Sequence, residues 1–248
     1  MNKDFDFSFK GLSFKMIYIE GGNFNQDYED QHPASNEVLV KEKIGVTRDF
    51  YLAEFPVTQA LWKAVMGDIT VELSNKNCED CPMETVSWFY AKEFLLNLNQ
   101  IGKMQFRLPT STEWEYAARG GRKSKGYKFA GSNDLEMVGW FKKNSNQQVQ
   151  PVGRLAPNEL MLFDMSGNVW EWCENLVETN IHGKRAEDCL GDPEENGDFR
   201  VIRGGAWSTN ASNCRTSFLS EALSGHFYPG VGFRLAHDVL AETIVSRF

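Results

Sequence analysis

Residues 164–172 read Asp-Met-Ser-Gly-Asn-Val-Trp-Glu-Trp, and this stretch stands out from the rest of the chain. Two indoles, Trp170 and Trp172, flank the carboxylate of Glu171 directly after a Gly-Asn turn. A carboxylate beside turn carbonyls is the ligand set that a hard cation such as calcium prefers. In the alternative interpretation, Glu171 forms a salt bridge or caps a backbone group while both indoles fill the core. The stretch therefore predicts either a cation site or a paired charge inside an aromatic core.

The sequence around this stretch is typical of a loop-rich fold. Residues 122–236 are rich in Gly, Asn, Pro and aromatic residues, and only short strands are predicted there, at Phe199–Ile202 and Phe233–Ala236. The whole chain holds 18 Phe, 7 Trp and 7 Tyr beside 21 Gly, a mix that favours aromatic packing around backbone turns. Its 248 residues are enough for one domain with a full core.

The first half of the chain carries the regular elements. β-Branched and alternating residues predict a strand at Phe14–Ile19, and extended segments are predicted at Val38–Val46 and Phe50–Leu52. Three helices are predicted after them, at Thr58–Met66, Ser87–Leu98 and Thr110–Arg119. Thr58 is the expected N-cap of the first helix and Gly67 its end, while Thr110 and Glu113 predict a capping box. The pattern favours a single α+β domain.

Charge and hydropathy exclude two classes of partner. Lys and Arg number 26 against 34 Asp and Glu, which gives a net charge of −8. An acidic chain lacks the clustered cations that nucleic acids and anionic membranes require. No apolar run reaches the roughly 18 residues of a membrane span, and the opening residues lack the apolar segment of a signal peptide. We therefore expect a soluble, cytoplasmic protein by default, with display on a cell surface or virion as the alternative.

General catalytic motifs are absent from the sequence, and the cysteines suggest little chemistry. There is no GxGxxG after a strand, no Walker loop, no HExxH and no GxSxG. Cys78 and Cys81 form a lone CxxC, which Cys173 and Cys189 could complete as a zinc site. Their spacing matches neither a zinc ribbon nor a knuckle, so we expect reduced, partly buried thiols.

Seven stretches, in order along the chain, resemble the formylglycine-generating enzyme (sulfatase-modifying factor) superfamily. They are MIYIEGGNF (16–24), FYLAEFPVTQALWKAVMG (50–67), PMETVSWFYAKEF (82–94), FRLPTSTEWEYAARGG (106–121), QPVGRLAPNELMLFDMSGNVWEWC (150–173), RVIRGGAWSTNASNCR (200–215) and GVGFRLA (230–236). The resemblance implies one irregular, loop-rich α+β domain of the C-type lectin-like kind, spanning the chain with its core at about residues 14–236. Residues 237–248 are then a short C-terminal helix or a tail.

The resemblance also implies a calcium ion at the 164–172 stretch. In the family this ion takes backbone carbonyls and the glutamate carboxylate. The matching positions are Ser166, Gly167, Val169 and Glu171.

The resemblance implies a copper(I) site in catalytic members, which oxidise a sulfatase cysteine to formylglycine. Two thiolates hold that copper after an Arg-Gly-Gly motif, and the matching positions here are Thr209 and Cys214. A threonine hydroxyl is a hard ligand and cannot replace a thiolate. This departure argues against copper and against catalysis. It leaves Cys214 as a buried small apolar residue or, alternatively, a remnant redox thiol.

Another branch that the chain resembles is the variable proteins of diversity-generating retroelements, which display a hypervariable C-terminal surface for ligands. The frame of that branch is matched by Arg203–Gly205, Trp207, Ala211, Cys214–Arg215, Pro229 and Gly232–Leu235. Those systems mutate adenines in Asn codons, so a diversified position cannot become Lys, Glu, Gln, Met or Trp. These types make up about a quarter of the chain, yet only Glu221 belongs to them between Ser208 and Gly230.

These observations predict a non-catalytic display protein that binds a protein or other macromolecule through residues 207–230. Small polar residues mixed with aromatics are typical of adaptable binding surfaces. The predicted contact residues are Trp207, Ser208, Thr209, Asn210, Ser212, Asn213, Leu219, His226, Phe227 and Tyr228. The alternatives are a copper-dependent formylglycine-generating oxidase that uses Cys214, and a structural module without a variable ligand.

Overall fold

Eleven strands and three α-helices alternate with long loops in the computed structural model, which describes residues 3–26, 42–177 and 198–239. The strands are β1 (Phe5–Phe9), β2 (Leu12–Ile19), β3 (Gly22–Gln26), β4 (Glu42–Val46), β5 (Phe50–Ala53), β6 (Phe106–Arg107), β7 (Trp170–Leu176), β8 (Phe199–Arg203), β9 (Leu219–Leu223), β10 (Val231–Gly232) and β11 (Ala236–Asp238). The helices are α1 (Gln59–Met66), α2 (Trp88–Gly102) and α3 (Ser111–Ala118). Short 3-10 turns lie at Gly121–Lys123, Leu135–Met137 and Ala211–Cys214.

Two sheets organise the fold. The first has the antiparallel order β1-β2-β5-β11-β6, and the second has the order β10-β7-β8-β9. In the second sheet only β10 runs parallel to its neighbour, while β7, β8 and β9 are antiparallel. β3 and β4 form a separate antiparallel pair. The fold is therefore α+β and rich in loops, as the sequence predicts.

Two helices have the predicted caps, and Ser87, predicted as the first residue of the second helix, is its N-cap. The side chain of Thr58 accepts a hydrogen bond from Leu61 N at the start of α1, and that of Ser87 accepts one from Tyr90 N at the start of α2. Thr110 and Glu113 form the predicted capping box on α3, with both reciprocal hydrogen bonds present. Each pair of atoms satisfies backbone N–H groups that a helix start leaves without partners.

The core lies between the two sheets in two large apolar clusters. The first includes α1 and α2, where the rings of Trp62 and Phe94 stack with centroids 5.4 Å apart. The second surrounds Trp114 of α3 and includes Cys173. Both clusters draw buried residues from both sheets, so the helices and the 164–172 stretch share one interior.

Several predicted boundaries differ from the structure. The predicted strand at Phe233–Ala236 is wrong except at Ala236, the first residue of β11, because the pairing before it ends with β10 at Gly232. The predicted tail begins as strand β11 at Ala236–Asp238, and residues 240–248 lie outside the described residues. Of the predicted extended segment at Val38–Val46, the described part forms β4. Among the described residues, no helix combines the length and apolar character needed to cross a bilayer.

The expectation of reduced thiols at the CxxC is also wrong. Cys78 and Cys81 form a disulfide, whereas Cys173 and Cys214 are free and buried. Because the two CxxC sulfurs are bonded to each other, they do not serve the alternative zinc site. Its fourth position, Cys189, lies outside the described residues.

Candidate functional site

Glu171, the carboxylate of the 164–172 stretch, is fully buried and paired with Arg234. Its Oε1 accepts a hydrogen bond from Arg234 Nη2 at 2.7 Å, and its Oε2 accepts one from Arg234 Nε at 2.7 Å. Trp114 Nε1 also donates to Oε2, at 2.6 Å. The guanidinium further donates to the carbonyls of Ala53 and Phe163, so this buried pair is hydrogen-bonded on both sides. The salt-bridge interpretation of the stretch is therefore confirmed.

This pairing bears on the implied calcium ligands, Ser166, Gly167, Val169 and Glu171. Both oxygens of Glu171 already accept from buried donors. A buried guanidinium next to the carboxylate neutralises the charge that calcium requires. Among the described residues, no group of three or more His, Cys, Asp or Glu could hold a metal. The carboxylate of Glu171 is therefore not available to calcium in this arrangement, and the implied site at these four positions is untested.

Thr209 and Cys214, the two positions that match the copper ligands, are neighbours in space. Thr209 Oγ1 lies 3.7 Å from Cys214 Sγ. The hydroxyl is already used locally, because it donates to Ala206 O at 2.9 Å and accepts from Ala206 N at 3.0 Å. The two positions that the resemblance implies are therefore close together in the structure. One of them carries a hydroxyl that is already hydrogen-bonded to the backbone of Ala206.

Cys214 lies inside a small apolar cluster. Its buried neighbours are Phe129, Leu135, Val138 and Phe141. Burial raises the pKa of the Cys214 thiol to about 12, although the contact with the Thr209 hydroxyl opposes the shift. At neutral pH the group is thus a protonated thiol and a weak nucleophile. This confirms the interpretation of Cys214 as a buried small apolar residue.

The Arg203-Gly-Gly motif forms the base of the predicted contact segment, residues 207–230. Arg203 is buried and donates to Ser111 Oγ at 2.9 Å and to Glu115 Oε2 at 3.0 Å. Gly204 and Gly205 follow with φ angles of +96° and +75°, which favour glycine. A Cβ at Gly205 would lie 2.6 Å from Cys214 Sγ, so the turn needs glycine for space as well.

Beyond this base, the predicted contact residues divide by exposure. The side chains of Ser208, Asn210, Ser212 and Phe227 are exposed. Five others are half-buried: Trp207, Thr209, Asn213, His226 and Tyr228. Leu219 stands apart, because it belongs to strand β9, pairs with Arg203 and packs against the Trp114 cluster.

Backbone atoms hold this loop against the rest of the molecule. Trp207 N donates to Asn168 O at 2.9 Å, and Lys142 N donates to Thr209 O at 3.0 Å. Strand β9 then interrupts residues 207–230 and divides them into two surface loops, 207–218 and 224–230. We refer to these two loops together as the binding face.

Sequence reasoning missed an aromatic extension of the binding face. Phe89 and Tyr90, in the first turn of α2, are 51% and 41% exposed, and Phe227 is 43% exposed. The rings of Tyr90 and Phe227 meet edge to face, with centroids 5.2 Å apart. Phe89 and Tyr90 occupy the second and third positions of the helix, outside the stripe of Ala91, Leu95 and Leu98, and two large aromatics there are a signal that could have indicated this surface.

A second missed residue is Glu84, whose carboxylate is fully buried beneath the binding face. It accepts a hydrogen bond from the indole nitrogen of Trp207 at 2.9 Å. In the sequence it lies in a loop between two helices, 123 residues from Trp207. Only the folded chain brings the two together.

Comparisons with known proteins agree with this architecture. Residues 10–239 match the family model described as "Sulfatase-modifying factor enzyme 1-like domain". A protein of Paenibacillus barcinonensis named "Chaperone protein LppX" is 27% identical, with 92% of this chain and 90% of that protein aligned. The formylglycine-generating enzyme of Thermomonospora curvata is 31% identical, with 74% and 63% aligned. Serine/threonine-protein kinase Pkn1 of Chlamydia trachomatis is 28% identical, but the chain spans only 39% of its length.

Solved structures extend the likeness. Treponema denticola variable protein 1 superposes with a TM-score of 0.78 and 25% identity, covering 96% of this chain and all of that one. PvdO from Pseudomonas aeruginosa superposes with a TM-score of 0.68 at 18% identity, with 91% and 94% covered. The second match concerns the fold alone.

Proposed function

Because the chain belongs to the sulfatase-modifying factor enzyme 1-like family but carries Thr209 where a second thiolate would be needed, we propose that it is a non-catalytic binding protein. The binding face, residues 207–218 and 224–230, is the surface that takes the ligand. The observation that carries this proposal is the pairing of a committed threonine hydroxyl with a buried, protonated Cys214 beneath an exposed polar and aromatic surface. The similarity to a variable protein supports the same use of the fold.

The composition of the binding face favours a protein ligand. Its exposed side chains are small and polar, and Phe227 with its neighbour Tyr90 supplies rigid aromatic area. Small polar groups adapt their hydrogen bonds, whereas aromatic rings bury a large area with little loss of conformational entropy. Such a mixed surface suits a folded protein better than a small molecule, which usually needs a concave pocket.

We also propose that the two loops are diversified by a retroelement. Glu221, which such a system could not produce at a diversified position, lies in strand β9, where it pairs with Val201. The two loops themselves contain none of the excluded residue types after Trp207. The DNA that flanks the gene tests this directly. A near-identical repeat with Asn codons at the loop positions supports diversification, whereas a unique coding sequence contradicts it.

A binding experiment tests the main proposal. A partner is first captured through a photoreactive amino acid placed at position 210 and is then purified. Its affinity for the wild type is compared with its affinity for Ser208→Ala/Asn210→Ala/Ser212→Ala/Phe227→Ala. We expect at least a tenfold loss of affinity and a nearly unchanged melting temperature, because all four side chains are exposed. Leu96→Ala/Met161→Ala is the matched control, since these residues are exposed but lie outside the binding face.

The oxidase alternative has some support from the 31% identity to a formylglycine-generating enzyme. It requires a copper-loaded protein that converts the cysteine of a sulfatase-type peptide to an aldehyde, which mass spectrometry detects. We expect no conversion. Conversion that disappears in Cys214→Ser would overturn the non-catalytic proposal.

A further inference from the structure

One buried carboxylate joins the two ends of the binding face. Glu84 Oε2 accepts hydrogen bonds from Trp207 Nε1 at 2.9 Å and from Gly230 N at 2.7 Å. Its Oε1 accepts from Ser74 N at 2.7 Å and from the Ser74 hydroxyl. Trp207 is the first residue of the binding face and Gly230 is the last. One carboxylate therefore holds the start of loop 207–218 and the end of loop 224–230.

We propose that Glu84 is a positioning residue that fixes the binding face for its ligand, an inference that rests on the proposed function. Tying the two ends to one point reduces the conformational entropy that the loops would otherwise lose on binding. Glu84 thereby acts on affinity without touching the ligand, because its side chain is fully buried.

Backbone hydrogen bonds next to Glu84 hold the same part of the molecule. We call this region, around Glu84, Trp207 and Gly230, the neck of the binding face. Val86 N donates to Val231 O at 3.2 Å, and Trp88 N donates to Ser224 O at 2.9 Å. Thr85, which lies between Glu84 and Val86, has a φ of +57°, a conformation that a β-branched residue rarely adopts. Such a conformation persists only where the surroundings impose it. The chain therefore accepts local strain at the point where Glu84 turns inward.

The neck has little spare room. A Cβ on Gly230 would lie 3.2 Å from Trp207 Nε1, and a Cβ on Gly232 would lie 2.3 Å from Met83 O. Donors and carboxylate are thus packed in a fixed arrangement rather than joined across a flexible gap.

The charge of Glu84 explains why a carboxylate occupies this position. All four of its hydrogen bonds come from N–H or O–H donors, and no described Lys, Arg or His forms a salt bridge with it. Hydrogen bonds to an ionised acceptor are roughly twice as strong as those between neutral groups. Glutamine keeps the shape but offers one acceptor oxygen, and its amide N–H₂ would face the donors of either Ser74 or Trp207 and Gly230.

Hydrogen exchange of the intact protein tests this inference without any ligand. In Glu84→Gln we expect amides at 207–210 and 228–232 to exchange at least tenfold faster, while those at 94–98 in α2 keep their wild-type rates. Glu79→Gln is the matched control, since Glu79 is an exposed carboxylate in the same loop. Trp207→Phe removes the indole donor together with part of the ring, and it should loosen 207–210 while leaving 228–232 protected.

Two results would overturn the inference. One is wild-type exchange at 207–210 and 228–232 in Glu84→Gln. The other is an equal acceleration across the whole chain, which would mean that Glu84 only contributes to global stability. If Glu84→Gln misfolds, unchanged exchange at 207–210 in Trp207→Phe contradicts the inference by itself. Because exchange needs no partner, a failure to find a ligand would count against the proposed function alone.

Discussion

Thr209 Oγ1 lies 3.7 Å from Cys214 Sγ, at the two positions where copper-dependent relatives are expected to carry a pair of thiolates. The other described cysteines are elsewhere: Cys173 packs in the Trp114 cluster, and Cys78 is bonded to Cys81. The two positions are therefore adjacent in space, but only one of them carries a thiol.

Restoring the second thiol should restore copper binding. We expect Thr209→Cys to take up one copper(I) ion per chain, because two thiolates are strong ligands for this soft ion. Titration against a coloured copper(I) chelator under reducing conditions measures the uptake. Thr209→Ser is the control, and equal copper binding by Thr209→Cys and Thr209→Ser would contradict the argument.

Breaking the buried pair of Glu171 and Arg234 should be costly. Arg234→Met leaves a fully buried carboxylate without its cation, and we expect a loss of about 3–5 kcal/mol in the free energy of unfolding. Chemical denaturation measures the loss. Lys143→Met, which removes the cation of an exposed pair with Glu136, should leave the free energy of unfolding nearly unchanged. Similar losses in both variants would mean that burial does not set the cost.

Calcium should not stabilise the protein. Both oxygens of Glu171 are engaged by Arg234 and Trp114, so we expect the melting temperature to be the same with a chelator as with millimolar calcium. Magnesium is the matched control for ionic strength. A calcium-specific rise of several degrees would show that the 164–172 stretch rearranges to release the carboxylate.

The contribution of Asp164 to the stability of the protein should decrease as the pH rises from 4 to 7. Burial raises the pKa of its carboxyl from 3.8 to about 6, although hydrogen bonds from Gly153 N and Asn168 Nδ2 oppose the shift. The folded state therefore favours the protonated form, and its contribution is complete below pH 4 and lost as the pH passes 6.

Asp164→Asn removes this titration and tolerates the positive φ of +56° at that position. We compare the free energy of unfolding of the wild type with that of the variant. The difference, wild type minus variant, should fall by on the order of 2–3 kcal/mol between pH 4 and pH 7. Denaturant melts at several pH values measure the difference, and a difference that stays constant with pH would contradict the prediction.

Opening the disulfide between Cys78 and Cys81 should increase backbone motion at residues 207–210 of the binding face. Cys81 is fully buried with Val149 and Val169, and Trp207 packs against this cluster. We expect Cys78→Ser/Cys81→Ser to lose roughly 2 kcal/mol of stability and to exchange faster at 207–210. A dithiol reductant should reproduce both effects in the wild type and change nothing in the variant. Unaltered exchange at 207–210 would separate the disulfide from the binding face.

Local signals predicted the helices, and long-range pairing decided the rest. Thr58, Ser87 and Thr110 cap their helices because a cap acts on the next three residues, which the sequence displays directly. The ordered motifs likewise led to the family and to the pairing of Thr209 with Cys214. The same motifs suggested calcium, because the sequence does not reveal that Arg234, 63 residues away, reaches Glu171.

The candidate site was predicted in outline only. Composition identified residues 207–230, but it could not separate exposed Ser208 from half-buried Trp207 or exclude Leu219, because strand β9 forms only by pairing with β8. Glu84 and Tyr90 were missed for the same reason. Each contacts the binding face from an element more than a hundred residues earlier in the chain.

The amide groups that anchor Trp207, Thr209 and Gly230 have a consequence for engineering. Main-chain N–H and C=O groups are common to nearly every amino acid, so these anchors do not depend on which side chains the exposed positions carry. A combinatorial library that varies Ser208, Asn210, Ser212 and Phe227, while sparing Gly204, Gly205 and Gly230, should retain one backbone across many sequences. The chain would then serve as a synthetic-antibody scaffold whose specificity can be selected in vitro.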